Sequence, residues 1–142
     1  MYLNFPGTTE QAFLFYRQVF QTEFLTDFQR FRSIPPVPDQ PPMPEAIKDL
    51  ILHVSLPIMD GFILMGTDVT EELGMRVEPG NHMHLNLYTE SREEATRLFA
   101  ALSAGGTVTT PMQDMFWGAY YGSCIDKFGI NWMVSHQNVI TY

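Results

Sequence analysis

Few side chains in this 142-residue chain are suited to chemistry by type and spacing. His82 and His84 stand two apart, which on a strand sends both imidazoles to one face; with His53 they could form a three-nitrogen site for a divalent ion. The competing reading makes them partly exposed polar groups or the lining of a cavity. Cys124 is the only cysteine. Without an activating neighbour it reads as a buried small hydrophobe rather than a nucleophile. Ser55 and Ser123 have no triad context, and Glu71, Glu72, Glu93 and Glu94 read as solvated faces. Phe116, Trp117, Tyr120 and Tyr121 read as core, except that Trp117, in a turn-like 114–118 segment, could stand at the mouth of a cavity. No residue is assigned a catalytic role.

These side chains must be carried by elements that the pattern makes visible. Tyr2 to Phe5 is a short extended segment closed by Pro6-Gly7, and Thr8 three residues before Gln11 predicts a capping box at a helix start. Ala12, Phe13, Tyr16, Val19 and Phe20 recur at helical spacing on one face. Thr22 to Arg32 reads as a strand carrying Phe24, Phe28 and Phe31. Six of the ten prolines fall between Pro35 and Pro44, which makes that stretch a loop. Residues 49–58 and 61–67 read as a hairpin around Met59-Asp60-Gly61. Residues 70–80 read as a linker. His82 to Tyr88 reads as a strand, Ser91 and Glu94 as the capping box of a second helix that Gly105-Gly106 ends, and residues 107–113, 119–125 and 130–136 as three further strands.

Composition limits what this assembly can be. At 45% hydrophobic and 17% charged, the chain is long enough for one domain with its own core, without metal or disulfide staples. A single cysteine and an N-terminus with neither a basic leader nor an apolar run point to a cytoplasmic location. No stretch approaches the roughly 18 apolar residues of a membrane span. A net charge of -8 leaves no basic footprint for nucleic acid.

The element order of strand, helix and three strands occurs twice, and constant offsets align the halves. Leu3-Asn4-Phe5 falls on Leu85-Asn86-Leu87 at 82, whereas Ser55, Gly61 and Met65 fall on Ser123, Gly129 and Met133 at 68. The difference is the length of the Ile34 to Ile47 stretch, which reads as an inserted loop. Module one is then 1–69, the linker 70–80 and module two 81–137, within a single domain 1–142. Period-two alternation places Leu3, Phe5, Leu85 and Leu87 against the helices. It places Tyr2, Asn4, His82, His84 and Asn86 on the opposite, concave face, and puts Asn131 and Met133 on one face together.

A duplicated βαβββ unit of this size resembles the vicinal oxygen chelate superfamily of glyoxalase I, bleomycin resistance proteins and extradiol dioxygenases. Several runs are similar to its PhnB-like branch: Tyr2-Leu3-Asn4-Phe5, Phe15-Tyr16, His53-Val54-Ser55-Leu56-Pro57-Ile58, Leu64-Met65-Gly66-Thr67-Asp68, and the stretch from Pro111-Met112-Gln113-Asp114 through Phe116-Trp117-Gly118 to Asp126-Lys127-Phe128-Gly129-Ile130-Asn131-Trp132-Met133. The resemblance implies an α+β fold in which two βαβββ modules form an eight-stranded, incompletely closed cup with helices outside, and it implies a homodimer. Metal-dependent relatives hold their ion on the first and last strands of each module. Those positions fall here on Tyr2, His84, Met65 and Met133, a set without carboxylates in which thioethers are poor ligands for hard cations. A ubiquinone methyltransferase description attached to some members finds no support, because no glycine-rich strand-to-helix turn offers a nucleotide cofactor a seat.

The resulting expectation is a protein without metal or cofactor that binds a small polar molecule through Tyr2, Asn4, Met65, His84, Asn86, Asn131 and Met133, with Trp117 at the rim. Its rivals are a divalent-metal lyase, isomerase or dioxygenase using His82, His84 and His53, and a partner-binding dimer that uses the proline-rich loop.

Overall fold

The computed structural model describes residues 1–137. The chain divides into two compact units, Met1–Glu78 and Pro79–Tyr142. The first contains β1 (Tyr2–Phe5), α1 (Thr9–Phe20), β2 (Gln29–Arg30), β3 (Ile51–Pro57) and β4 (Ile63–Asp68). The second contains β5 (Leu85–Tyr88), α2 (Arg92–Ser103), β6 (Thr107–Asp114), β7 (Tyr120–Ile125) and β8 (Asn131–His136). Each unit is an α+β module with one helix and one four-stranded sheet, in the orders β1-β4-β3-β2 and β5-β8-β7-β6. First and last strands pair in parallel, and the remaining pairs are antiparallel.

In the first unit α1 buries Ala12, Phe13, Tyr16, Val19 and Phe20. The Phe13 ring meets Phe5 edge-on at 6.3 Å between centroids and sits where a Cβ on Gly66 would be, 2.5 Å away. Leu3, Phe5, Leu64 and Gly66 therefore lie on the α1 side, and Tyr2, Asn4, Met65 and Thr67 on the other. The helix start differs from expectation. Thr8 sits at φ -114°, ψ 14° and makes no side-chain cap, so the Thr8–Gln11 capping box does not form. Instead Asp68, at the end of β4, accepts from Thr9 N–H at 3.0 Å and from Ile51 N–H at 2.7 Å. This buried carboxylate takes the capping role at α1 and anchors the start of β3 as well.

The strand expected over 22–32 shrinks to Gln29–Arg30. Gln21 ends α1 in a left-handed conformation, Arg17 lies over the Phe24 ring, and Phe24 packs on Phe28 at 4.9 Å. A four-residue spacing thus gives these aromatics one local cluster instead of alternate faces. The Asp-Gly hairpin forms as read: Asp60 and Gly61 both have positive φ, and Phe62 N–H donates to Met59 O, which is a type I′ turn.

The part of the expected inserted loop that no packing holds is shorter than 34–47. Every residue from Arg32 to Pro42 is exposed, but Ile47 is buried and belongs to a 3-10 turn, Glu45–Ile47, whose last carbonyl accepts from Leu50 N–H. Replacing residues 35–44 with a short Gly-Ser turn should leave unfolding cooperative and stability within about 1 kcal/mol, because loop-closure entropy varies slowly with length. Ile47→Ala should cost about 2–4 kcal/mol through loss of buried volume. Urea titrations of the two variants check both, and the reverse ranking would make the loop structural.

The second unit follows the same plan. Ser91 accepts from Glu94 N–H at 3.0 Å and caps α2, whose Ala95, Leu98, Phe99 and Leu102 are buried. Cys124 is fully buried on β7, and burial, with Asp126 nearby, pushes its thiol up to about 11. The folded protein should therefore resist a disulfide reagent at pH 8 and react only on unfolding. Because the folded-state value is raised above its unfolded 9.0, the thiol's contribution to stability falls as pH climbs from about 9 toward 11. Rapid labelling at pH 8 without unfolding would overturn this.

Candidate functional site

Register places the site residues row by row. Met65 on β4 is the partner of Tyr2 on β1 and of Ser55 on β3. Met133 on β8 is the partner of Asn86 on β5 and of Ser123 on β7. The offset of 68 therefore holds for the last two strands of each unit. Along the first strands, however, Tyr2 matches Asn86, not His84, so the offset there is 84 instead of 82. A shift of two keeps the face and changes the residue.

The His82 to Tyr88 strand is also shorter than expected. It starts at Leu85, with His82 and His84 in the non-strand segment before it. The side-chain amide of Asn131 donates to Gly80 O at 2.8 Å, which ties that segment to the start of β8, where β5 begins its pairing at Trp132. Leu87 is buried as expected of a residue facing the helix, while Leu85 is only half-buried.

In the first unit the face opposite α1 carries a hydrogen-bonded chain that sequence reasoning did not assemble. The Tyr2 hydroxyl is 3.1 Å from His53 Nδ1, and His53 Nε2 is 2.9 Å from Ser55 Oγ. The phenol reaches past β4 to bond a residue 51 positions away, so the row holds tyrosine, methionine, histidine and serine together. A neutral imidazole donates at one nitrogen and accepts at the other, and either hydroxyl can complement it. Tyr2 remains half-exposed, and Asn4 is on the same face. The arrangement offers hydrogen bonds to a polar ligand. It is poorly built for acyl transfer, because Val54 and Leu56 on either side of Ser55 are in the β3–β4 ladder and leave no turn of free amides for an oxyanion.

The equivalent face of the second unit is differently furnished. Asn86 Nδ2 donates to Tyr88 OH at 3.1 Å, and the hydroxyls of Ser123 and Thr109 are 2.7 Å apart. Asn131 is buried beside half-buried Met133. Tyr121, the counterpart of His53 at the 68 offset, lies 6.5 Å from the Trp117 ring. The aromatic cluster read as core is divided. Tyr120 packs on the α2 side under Arg92 and bonds Thr96, whereas Phe116 is 97% exposed. The three-histidine alternative is not assembled: both ring nitrogens of His53 are engaged, and among the described residues no three His, Cys, Asp or Glu side chains are placed to hold a metal ion. The donors at the strand positions that would serve a divalent ion are a phenol, an amide and two thioethers, which do not fit a hard cation.

Two βαβββ modules with this strand order define the class, and the chain belongs to the Glyoxalase/Bleomycin resistance protein/Dioxygenase superfamily, which it matches over residues 5–134. Among solved structures it is similar to protein PA1353 from Pseudomonas aeruginosa, 32% identical over 96% of this chain and 94% of that one, with a TM-score of 0.79. It is also similar to a PhnB protein from Bacillus cereus, 23% identical over 96% of both chains at a TM-score of 0.72. Protein YjdN of Escherichia coli is 26% identical over 94% of this chain and 91% of its own length. No helix among the described residues is long and apolar enough to cross a membrane.

Proposed function

We propose that this superfamily member binds a small polar organic molecule without a resident divalent metal, acting as a binding or sequestration protein. The observation that carries the reading is the pair of matched rows, Tyr2–Met65–Ser55 and Asn86–Met133–Ser123. Each sets a thioether between polar side chains on the face its helix leaves free. Tyr2, His53, Ser55 and Asn4 supply donors and acceptors in the first unit; Asn86, Asn131 and His84 supply them in the second, and Met65 and Met133 give adaptable apolar surface. A cytoplasmic homodimer is the setting in which we place this activity.

The test combines metal analysis with a ligand screen. Protein purified without supplementation should carry no near-equimolar Zn, Ni, Mn or Fe. Small amides, carboxylates and polyols that raise its melting temperature should bind at least tenfold more weakly to Tyr2→Phe, which removes one hydroxyl. One metal per chain, lost on His84→Ala, would favour the metal-dependent lyase, isomerase or dioxygenase instead. Binders indifferent to both Tyr2→Phe and Asn86→Ala would show that the rows are not the site.

A further inference from the structure

We propose that the first unit carries a second binding site, for a small organic ammonium ion with an apolar body, on the outer flank of α1. Gln21 ends the helix in a left-handed conformation, and Thr22 N–H donates to Arg17 O at 3.3 Å, so the chain folds back over the last turn. The returning hook repeats one tripeptide at a spacing of four: Thr22-Glu23-Phe24, then Thr26-Asp27-Phe28. Between the hook and the helix lies a cavity of about 580 Å³, within the ~300–1,000 Å³ of sites that hold small ligands. Its lining comes from residues 14–28 alone. It stands on the helix side of the sheet, whereas Tyr2, His53 and Ser55 occupy the opposite face.

The lining combines aromatic rings with carboxylates, which is the chemistry that takes up an organic cation. Phe24 and Phe28 pack with centroids 4.9 Å apart and planes at 56°, and the faces of such rings are electrostatically negative. Glu23 and Asp27 each precede one of the rings and are exposed. Among the described residues neither carboxylate is ion-paired. Leu14 and Leu25, 40% and 57% exposed, add apolar wall for a hydrocarbon body. The chain itself shows that a cation settles on these rings. The Arg17 guanidinium lies over Phe24 at 5.5 Å from the centroid instead of pairing with either carboxylate, and both are left without a counter-charge. Two carboxylates against one guanidinium make the lining net negative, as the whole chain is at -8, so an ammonium is drawn in and an anion repelled.

Phenethylamine is the probe, with 2-phenylethanol and 3-phenylpropionate as its neutral and anionic counterparts, each titrated into the full-length protein and followed by ligand-observed NMR. The amine should bind saturably, the alcohol about fivefold or more weakly, and the propionate not at all in the same range. Glu23→Gln together with Asp27→Asn should weaken the amine about tenfold or more, since both exposed ion pairs are removed. Arg17→Gln, which takes away the like charge, should bind the amine at least as tightly. All three positions are exposed, and unchanged melting temperatures verify the fold of each variant. No saturable amine binding, propionate bound as well as the amine, an affinity unchanged in the double variant, or an affinity lost in Arg17→Gln would each overturn the proposal. Amine binding that falls in Tyr2→Phe would overturn it too, by placing the amine at the row of Tyr2, Met65 and Ser55.

Discussion

Asp126→Ala should lower the free energy of unfolding by about 2–4 kcal/mol, since a buried donor left without a partner costs about 1–3 kcal/mol, the two part-buried backbone donors lose less, and neighbouring losses do not add fully. Asp126 is buried at the mouth of the β7–β8 turn. One carboxylate oxygen accepts from Phe128 N–H at 2.8 Å and Ile130 N–H at 3.1 Å, and the other from Trp132 Nε1–H at 2.8 Å. Trp132 is the largest fully buried side chain of the described residues, so its indole N–H could not turn to water instead. Urea titration followed by Trp132 fluorescence measures the loss. Asp126→Asn, which keeps one acceptor oxygen, should lie between the two. A loss below about 1 kcal/mol in the alanine variant would mean that water replaces the carboxylate and that the three bonds are not a stabilising unit.

Gly106→Ala should be at least as damaging, at about 3 kcal/mol or more, beyond the usual range for overpacking because the obstruction is backbone. A Cβ at Gly106 would lie 2.1 Å from the Ile125 carbonyl oxygen and 2.9 Å from the Asp126 carbonyl carbon. Relief would require β6 to separate from β7 at the point where Thr107 pairs with Ile125. Gly122→Ala is the control. Its nearest obstacle, at 2.6 Å, is the flexible thioether of Met112, with the Met112 amide at 3.1 Å, so the effect should be smaller by more than 1 kcal/mol. Equal losses would show that the β6–β7 corner yields readily enough to admit a methyl group at Gly106.

What the sequence made legible was local. Asp60-Gly61 adopts the two positive φ values that its turn requires, and Ser91 caps α2 through a residue three positions on. The alternation Leu3, Phe5 against Tyr2, Asn4 fixed the faces of β1, since a strand has no other way to bury every second residue. The errors arose where the deciding partner is remote. Thr8 has the right neighbours for a capping box, but the first amide of the helix, Thr9 N–H, is taken by a carboxylate 59 residues beyond it. The recurrence of leucine and asparagine at 82 matches His84 to Tyr2, while the backbone register follows β8 and selects Asn86. Tyr2, His53 and Ser55 form one chain only because β1 and β3 flank β4, and no spacing of theirs announces it. The His53–Ser55 half, two apart on a strand, is readable from spacing, but the sequence reading gives His53 to a metal alternative and leaves Ser55 without a triad.

The pairing of first strand with last has a temporal consequence. Among the described residues β1 pairs with β4 alone, so these hydrogen bonds wait until residue 68 has joined the chain, and Asp68 is also the group that receives Thr9 and Ile51. Closing that contact spans nearly the whole first unit, an entropic cost incurred before any parallel pairing rewards it. During synthesis, the stretch from β1 to β3 should therefore emerge as an incomplete sheet with α1 docked weakly, and consolidate in one step when β4 arrives. The second unit, whose β5 pairs only with β8 among the described residues, is bound by the same order of events. The duplication thus copied a late, all-or-none closure along with the fold.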